Sequence, residues 1–397
     1  MSKTPAAVGI HRLPKSHPLK TLQRFAVAAA ILGVVGAGLG FSIAPDQFYR
    51  SYLVAFLFWL GFPLGALGIL GIQYVTGGRW GVVIRRVLEA SVRTLPLLAL
   101  LFVPIVLGMH NLYEWTHESI VAHDEILQKK AGYLNEQFFL ARAALYFVVW
   151  LVLAFFLCRW SREQDDSPGE AVDRRLQFLG RGTLVLYALT MTFAAVDWAM
   201  SLDPHWFSHI FGVRMIGGQV LTAFAFAIVV LFLLVRHGPL ADLVSPARFH
   251  DLGNLLLAFV MLWAYFELSQ FLIIWSGNLP EETPFYIQRT EGYWKLYATA
   301  LIFLHFVVPF LVLLSRPVKR NPGTLALVAG GLVVVRLADL YWQLVPSFPP
   351  VTSGSPWLVP VVVTGIGGLW LTTFVWQLGA APLLPTTDTT LLDEEYD

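Results

Sequence analysis

Residues 252–275 read LGNLLLAFVMLWAYFELSQFLIIW, an apolar run with a single charged residue, Glu267. As a helix rising 1.5 Å per residue it runs ~36 Å, more than the ~30 Å hydrocarbon core of a bilayer. The run is not alone. Nine others of similar character lie at 25–43, 52–75, 92–109, 138–158, 182–200, 210–235, 293–314, 323–343 and 357–378. The chain is 56% hydrophobic and 13% charged, against about 25% charged in an ordinary soluble protein. The sequence therefore predicts an all-α polytopic membrane protein with ten transmembrane helices in a lipid bilayer.

Composition also excludes classes. A net charge of +1 gives no basis for nucleic-acid binding. The one cysteine, Cys158, excludes a disulfide framework, a cysteine-ligated iron–sulfur cluster and a CxxCH haem within this chain. The first nineteen residues are basic, contain Pro5, Pro14 and Pro18, and lack an apolar core with a cleavage site, so they are read as an uncleaved tail.

Basic residues set the expected orientation. Nineteen of the 27 lysines and arginines fall in one alternating set of segments, among them Arg79, Arg85, Arg86, Arg93, Arg159, Arg162, Arg174 and Arg175. By the positive-inside rule both termini are cytoplasmic and odd-numbered spans run outward, toward the periplasm of a bacterial inner membrane. The expected layout is a cytoplasmic tail at 1–23, the transmembrane domain at 24–378 and a second cytoplasmic tail at 379–397 ending in the acidic run Asp393 to Asp397.

With that direction, four outward spans end in polar or acidic residues on one side. His110 and Asn111 close the third, Asp197 the fifth, Glu267 and Gln270 the seventh, Arg336 and Asp339 the ninth. Asp197 and Glu267 each lie ~22 Å into the core, in its outer third. The fifth span ends Ala195-Val-Asp-Trp198 and the ninth Leu337-Ala-Asp-Leu340. This faint repeat, four spans apart, suits two parallel four-helix bundles (spans 2–5 and 6–9) with spans 1 and 10 peripheral, and repeats of this kind place sites at their interface.

Ionisable groups inside hydrocarbon mark proton, ion or ligand paths, or are paired structural groups. Glu267, in Trp263-Ala-Tyr-Phe-Glu-Leu-Ser-Gln270, is the leading candidate for proton transfer, with Tyr265 and Gln270 beside it. Asp197 is the second. Arg336 and Asp339, three apart, can pair on one helix face. His110 can accept a proton near neutral pH, or it belongs with Tyr113, Trp115 and His117 to an interfacial belt. His205 and His209, four apart, lack an evident third metal ligand and point with Trp206 to an outer partner contact, so no metal is expected. His305, the only mid-membrane histidine, has no opposed partner for a haem, and Pro309 bends its helix. The outer loop around Asn278 caps helix ends or meets a partner. Glu89 and Arg93 read as an i,i+4 pair at the inner surface in preference to the start of an inward proton path, and the segment 158–182 as a solvated loop. The third span, with Pro96 and Pro104, is the least regular.

Taken together, Thr76-Gly-Gly-Arg-Trp-Gly81, Tyr113-Glu-Trp115, Asp197-Trp-Ala-Met-Ser-Leu-Asp-Pro-His-Trp206, Phe249-His-Asp-Leu-Gly253, Ser269-Gln270 with Trp275-Ser-Gly-Asn278, and Asp339-Leu-Tyr-Trp342 resemble the ActF-like subunits of bacterial Alternative Complex III. These belong to the wider NrfD/polysulfide-reductase membrane family. The resemblance implies a quinol:cytochrome c oxidoreductase of the respiratory chain. Its partners would be a multihaem cytochrome c, an iron–sulfur subunit, a sister NrfD-like subunit, a monohaem cytochrome c and small membrane subunits. Haems and iron–sulfur clusters would then sit in those partners, with menaquinone or ubiquinone as the lipid-soluble substrate. The residues fit a proton path at least as well as a quinone site. A structural scaffold and an independent secondary transporter are the rival expectations.

Overall fold

A computed structural model of the chain describes residues 12–241, 243–349 and 357–385. Among these residues every regular element is helical, and ten helical segments are long and apolar enough to cross a membrane. They are Pro18–Ile43, Pro45–Thr76, Arg85–Leu107, Glu136–Asp166, Glu170–Leu202, Phe211–Arg236, Pro246–Gly277, Tyr293–Leu314, Pro322–Ser347 and Leu358–Gly379, numbered below as spans 1 to 10. The chain is thus an all-α polytopic membrane protein, as its composition predicts.

Span 2 packs on spans 3 and 5, span 4 on span 5, span 6 on spans 7 and 9, and span 8 on spans 7 and 9. Spans 2–5 and 6–9 therefore form two bundles, joined where span 2 lies along span 6. Spans 1 and 10 pair with each other, and span 10 also rests on span 2. Two glycines permit the closest crossings. A Cβ at Gly65 of span 2 would overlap the backbone of Gln219 on span 6, and one at Gly33 would overlap the backbone of Gly365 on span 10. Small residues let membrane helices approach where burial of apolar surface supplies no drive. Span 2 is consequently the core element, buried along almost its whole length.

Several boundaries differ from the sequence reading for identifiable reasons. Span 1 begins at Pro18, inside the segment expected to be a tail, because Nδ1 of His17 accepts the Leu19 amide at 3.2 Å and Pro18 occupies the first turn. The remaining tail assignments, at 1–11 and 386–397 with Asp393 to Asp397, lie outside the described residues. Span 3 starts at Arg85, seven residues before expected, and is segmented into Arg85–Val92, Leu95–Leu100 and Val103–Leu107. Pro96 and Pro104 sit in the first turn of the second and third pieces, where a missing N–H is tolerated. The segment 158–182 is no loop. Span 4 continues to Asp166, span 5 starts at Glu170, and Arg175 reaches Glu163 across the hairpin at 3.5 Å. In span 8, Ile302–Val307 widens into a π turn just before Pro309. Proline lacks the N–H that would meet the carbonyl of residue 305, and a π turn is one way the helix absorbs that loss.

Candidate functional site

The lone acid of the opening stretch is held by an arginine from the preceding span. Arg214 Nε stands 3.0 Å from Glu267 Oε1, and Nη2 stands 2.5 Å from Oε2. Arg214 is fully buried, while Glu267 keeps a small exposed fraction. The bidentate geometry suits a planar guanidinium against a carboxylate. In the same bundle, Arg336 pairs with Asp339. Asp339 also accepts from Trp263 Nε1 at 3.2 Å and from Gln343 Nε2 at 3.0 Å. His305 lies against the face of Trp263, ring centroids 3.9 Å apart, with Nδ1 3.9 Å from Asp339 Oδ2. It is fully buried, and among the described residues neither ring nitrogen has a hydrogen-bond partner. Glu267, Asp339, Arg214 and Arg336 are within electrostatic reach of one another.

The first bundle repeats the theme with different parts. Asp197 is fully buried and receives Arg142 of span 4 through Nε at 2.8 Å and Nη2 at 3.0 Å. The Tyr146 hydroxyl donates to it at 2.7 Å. Arg142 also lies over the Tyr133 ring at 3.9 Å and donates to the Tyr133 carbonyl. Behind Asp197, Trp198 packs among Phe102, Phe147 and Trp150.

A third polar cluster, near the opposite end of the bundle, corrects the reading of Glu89 and Arg93 as a surface pair. Glu89 is 1% exposed. It accepts from Arg86 at 2.7 Å and from the Ser161 hydroxyl at 2.5 Å, with Arg93 at 3.5 Å. Arg86 also pairs with Asp165. The i,i+4 spacing was sound, but that helix face turns toward span 4 instead of water.

The remaining sequence candidates are scattered. The four polar span ends do not meet at one point: Asp197 belongs to one bundle, and Glu267, Arg336 and Asp339 to the other. Gln270 is buried and takes a hydrogen bond from Ser208. Tyr265 is 64% exposed on the outer face of span 7, away from Glu267. The His110 side chain is 63% exposed, 3.1 Å from Thr116 Oγ1 and 3.5 Å from Glu136, and Asn111 donates to Asp46 at 2.6 Å. His205 meets Asp124 at 2.6 Å, and His209 is exposed beside Phe207. Trp206, expected to face a partner, is instead buried and stacked on Phe285 at 4.0 Å, because its large ring fills the space under the outer helix Pro284–Thr290. Asn278 is an exposed left-handed cap of span 7 (φ 47°). Among the described residues no group of three histidines, cysteines or acids stands ready for a metal.

Sequence reading missed Arg142, Arg214, Tyr146, Arg289 and the importance of His305. Arg142 and Arg214 carried a usable signal: each is a lone base four residues into an inward-running span, at about the depth of an acid on the next span. Arg289 is fully buried and donates to the Phe285 and Gln343 carbonyls and the Ser347 hydroxyl, so it caps the end of span 9.

These arrangements can do two things chemically. Bidentate pairs hold charge in low dielectric and fix helix against helix. The Asp339–His305 approach, at 3.9 Å, sets a titratable imidazole beside a carboxylate with both ring nitrogens unpartnered among the described residues. A cavity of about 730 Å³, lined by Arg50, Ser51, Tyr293, Trp294 and Tyr341, opens between the bundles, and none of Glu267, Asp339 or Asp197 lines it. No protein-family model matches the chain, and no curated protein matches it.

Proposed function

We propose that this protein is an integral-membrane subunit of a quinol:cytochrome c oxidoreductase of the Alternative Complex III type, and that it carries a proton path. The observation that carries this reading is the buried Arg214–Glu267 and Arg336–Asp339–His305 group in the second bundle. Four charged side chains and an unpartnered imidazole inside hydrocarbon are more than helix packing requires. The motif resemblance supplies the enzyme class. It also supplies the partners: cytochrome c and iron–sulfur subunits holding the redox groups, with both termini on the cytoplasmic side of a bacterial inner membrane. In this scheme the subunit donates no electrons, and Glu267 and His305 relay protons that quinol oxidation releases.

The scaffold reading keeps one observation in its favour. Asp197 is fully buried and both its carboxylate oxygens are taken, by Arg142 and Tyr146. We therefore assign Asp197 to structure and place the proton role in the second bundle. The test is the quinol oxidation rate and proton-to-electron ratio of the reconstituted complex carrying Glu267→Gln, with assembly verified. Proton yield falling while turnover survives supports the relay. Collapse of turnover in an intact complex moves Glu267 to a quinol site. No change in either leaves the scaffold.

A further inference from the structure

The largest cavity described here is unrelated to the buried acids. A trough of about 1030 Å³ runs between spans 3, 4 and 10. Its floor is apolar: Val92, Pro96, Leu151, Val152, Phe155 and Phe156. Its mouth carries three guanidinium groups, Arg93 from span 3 and Arg159 and Arg162 from span 4.

Among the described residues, the charge at the mouth is only partly neutralised. Arg93 already serves Glu89, at 3.5 Å. Of the two acids on the rim, Glu163 is drawn to Arg175 at 3.5 Å, and Asp166, on the same helix face as Arg162, forms no ion pair among the described residues. Arg159 leans over the Phe155 ring at 5.9 Å, and among the described residues neither it nor Arg162 makes an ion pair. Arg93 and Arg162 are close enough to repel. Nothing in span 10 answers them, since its contribution to the wall is the neutral Gln377.

We propose that this trough is a binding site for an anionic phospholipid. The phosphate sits among Arg93, Arg159 and Arg162, and an acyl chain lies along Pro96, Leu151 and Phe155. Guanidinium groups recognise phosphate through paired N–H donors. Basic pockets between transmembrane helices on the cytoplasmic side are suited to cardiolipin-type head groups. A free phosphate would leave the apolar floor unused, and a neutral quinone would leave the arginines unanswered. The occupant therefore combines both features. The site is independent of the proton path, because none of its lining residues belongs to the Glu267–Asp339 group.

The test uses the intact complex in a nonionic detergent, titrated with tetraoleoyl-cardiolipin, dioleoyl-phosphatidylglycerol or dioleoyl-phosphatidylcholine and followed by native mass spectrometry. Wild type is expected to retain one anionic lipid on this subunit and not phosphatidylcholine. The double variant Arg159→Gln, Arg162→Gln is expected to bind cardiolipin about thirtyfold more weakly, at roughly fivefold per arginine near the head group. Arg174→Gln, an exposed partner of Glu170, is the control and binds as wild type. Equal retention by wild type and the double variant, or phosphatidylcholine bound as tightly as cardiolipin, overturns the proposal. So does a photo-crosslinker at Val152 that captures a protein subunit in place of lipid. Because Arg159 and Arg162 make no ion pair among the described residues, the double variant is expected to melt as wild type in lipid-free detergent. A lower melting temperature there would give these residues a structural role and overturn the assignment.

Discussion

Arg214 on span 6 clamps Glu267 on span 7 at two points, Nε at 3.0 Å from Oε1 and Nη2 at 2.5 Å from Oε2, with the guanidinium wholly out of solvent. The two helices are thereby registered to each other by charge as well as by packing. Removing one member of a buried pair strands the other, at about 3–5 kcal/mol. Arg214→Gln is therefore expected to lower the melting temperature of the purified protein more than Glu267→Gln, whose loss leaves an arginine still facing Phe211 and Phe285. The double variant should recover part of the loss. Strict additivity of the two single changes in a double-mutant cycle would deny the coupling.

His305 sits in the π turn with no hydrogen bond to lose. His305→Leu is close in volume and is expected to change stability by less than about 1.5 kcal/mol. In the proposed relay it should nonetheless reduce the proton-to-electron ratio. Thermal stability and proton yield measured on one preparation separate the two effects, and an unchanged yield removes His305 from the relay.

Gly65 lets span 2 touch span 6, the seam between the bundles. Gly65→Ala forces backbone against backbone and should destabilise by about 1–3 kcal/mol. Gly331→Ala is the contrast, since open space surrounds that position and alanine favours the helix by about 0.5–1 kcal/mol. Melting curves of the two variants moving in the same direction would contradict this picture of the seam.

Asp124 caps the short helix Glu125–Lys130, accepting the Ile126 amide at 2.9 Å and the Leu127 amide at 3.1 Å, and meets His205 at 2.6 Å. The Leu127 amide first, then His205, hold its carboxyl below the ordinary aspartate range. A carboxyl whose folded value is depressed stabilises the fold above its unfolded value near ~3.9 and loses that contribution as pH falls through the lower folded value. Amide exchange over residues 125–130 should therefore remain slow at pH 5 and quicken at still lower pH. Asp124→Ala should show fast exchange already at neutral pH, while Asp124→Asn keeps the cap and stays slow. Equal exchange in all three proteins would remove the cap from the account.

What the sequence made legible follows from how each signal is written along the chain. Glu267 stood out because one charge in an apolar run of residues 252–275 violates the composition of its own helix. The ten spans were legible for the same reason. Arg214 was legible as a lone base early in its span, but its pairing was not, since its partner lies 53 positions away and only a comparison of depths between spans suggests the contact. Glu89 and Arg93 were assigned to the wrong environment because i,i+4 spacing reads identically whether a face meets water or a neighbouring helix. Trp206 failed likewise: an outer-loop tryptophan looks the same in sequence whether it anchors a partner or its own chain, and here it stacks on Phe285.

The Gly33–Gly365 crossing joins residues more than three hundred positions apart, at the two extremes of the membrane domain. During synthesis the first helix must wait in lipid, its apolar flank bare, until the tenth emerges and closes on it. The order of translation thus makes the tenth helix a latch. A chain halted before residue 357 would hold its first helix against span 2 alone, with the Gly33 flank still open to lipid.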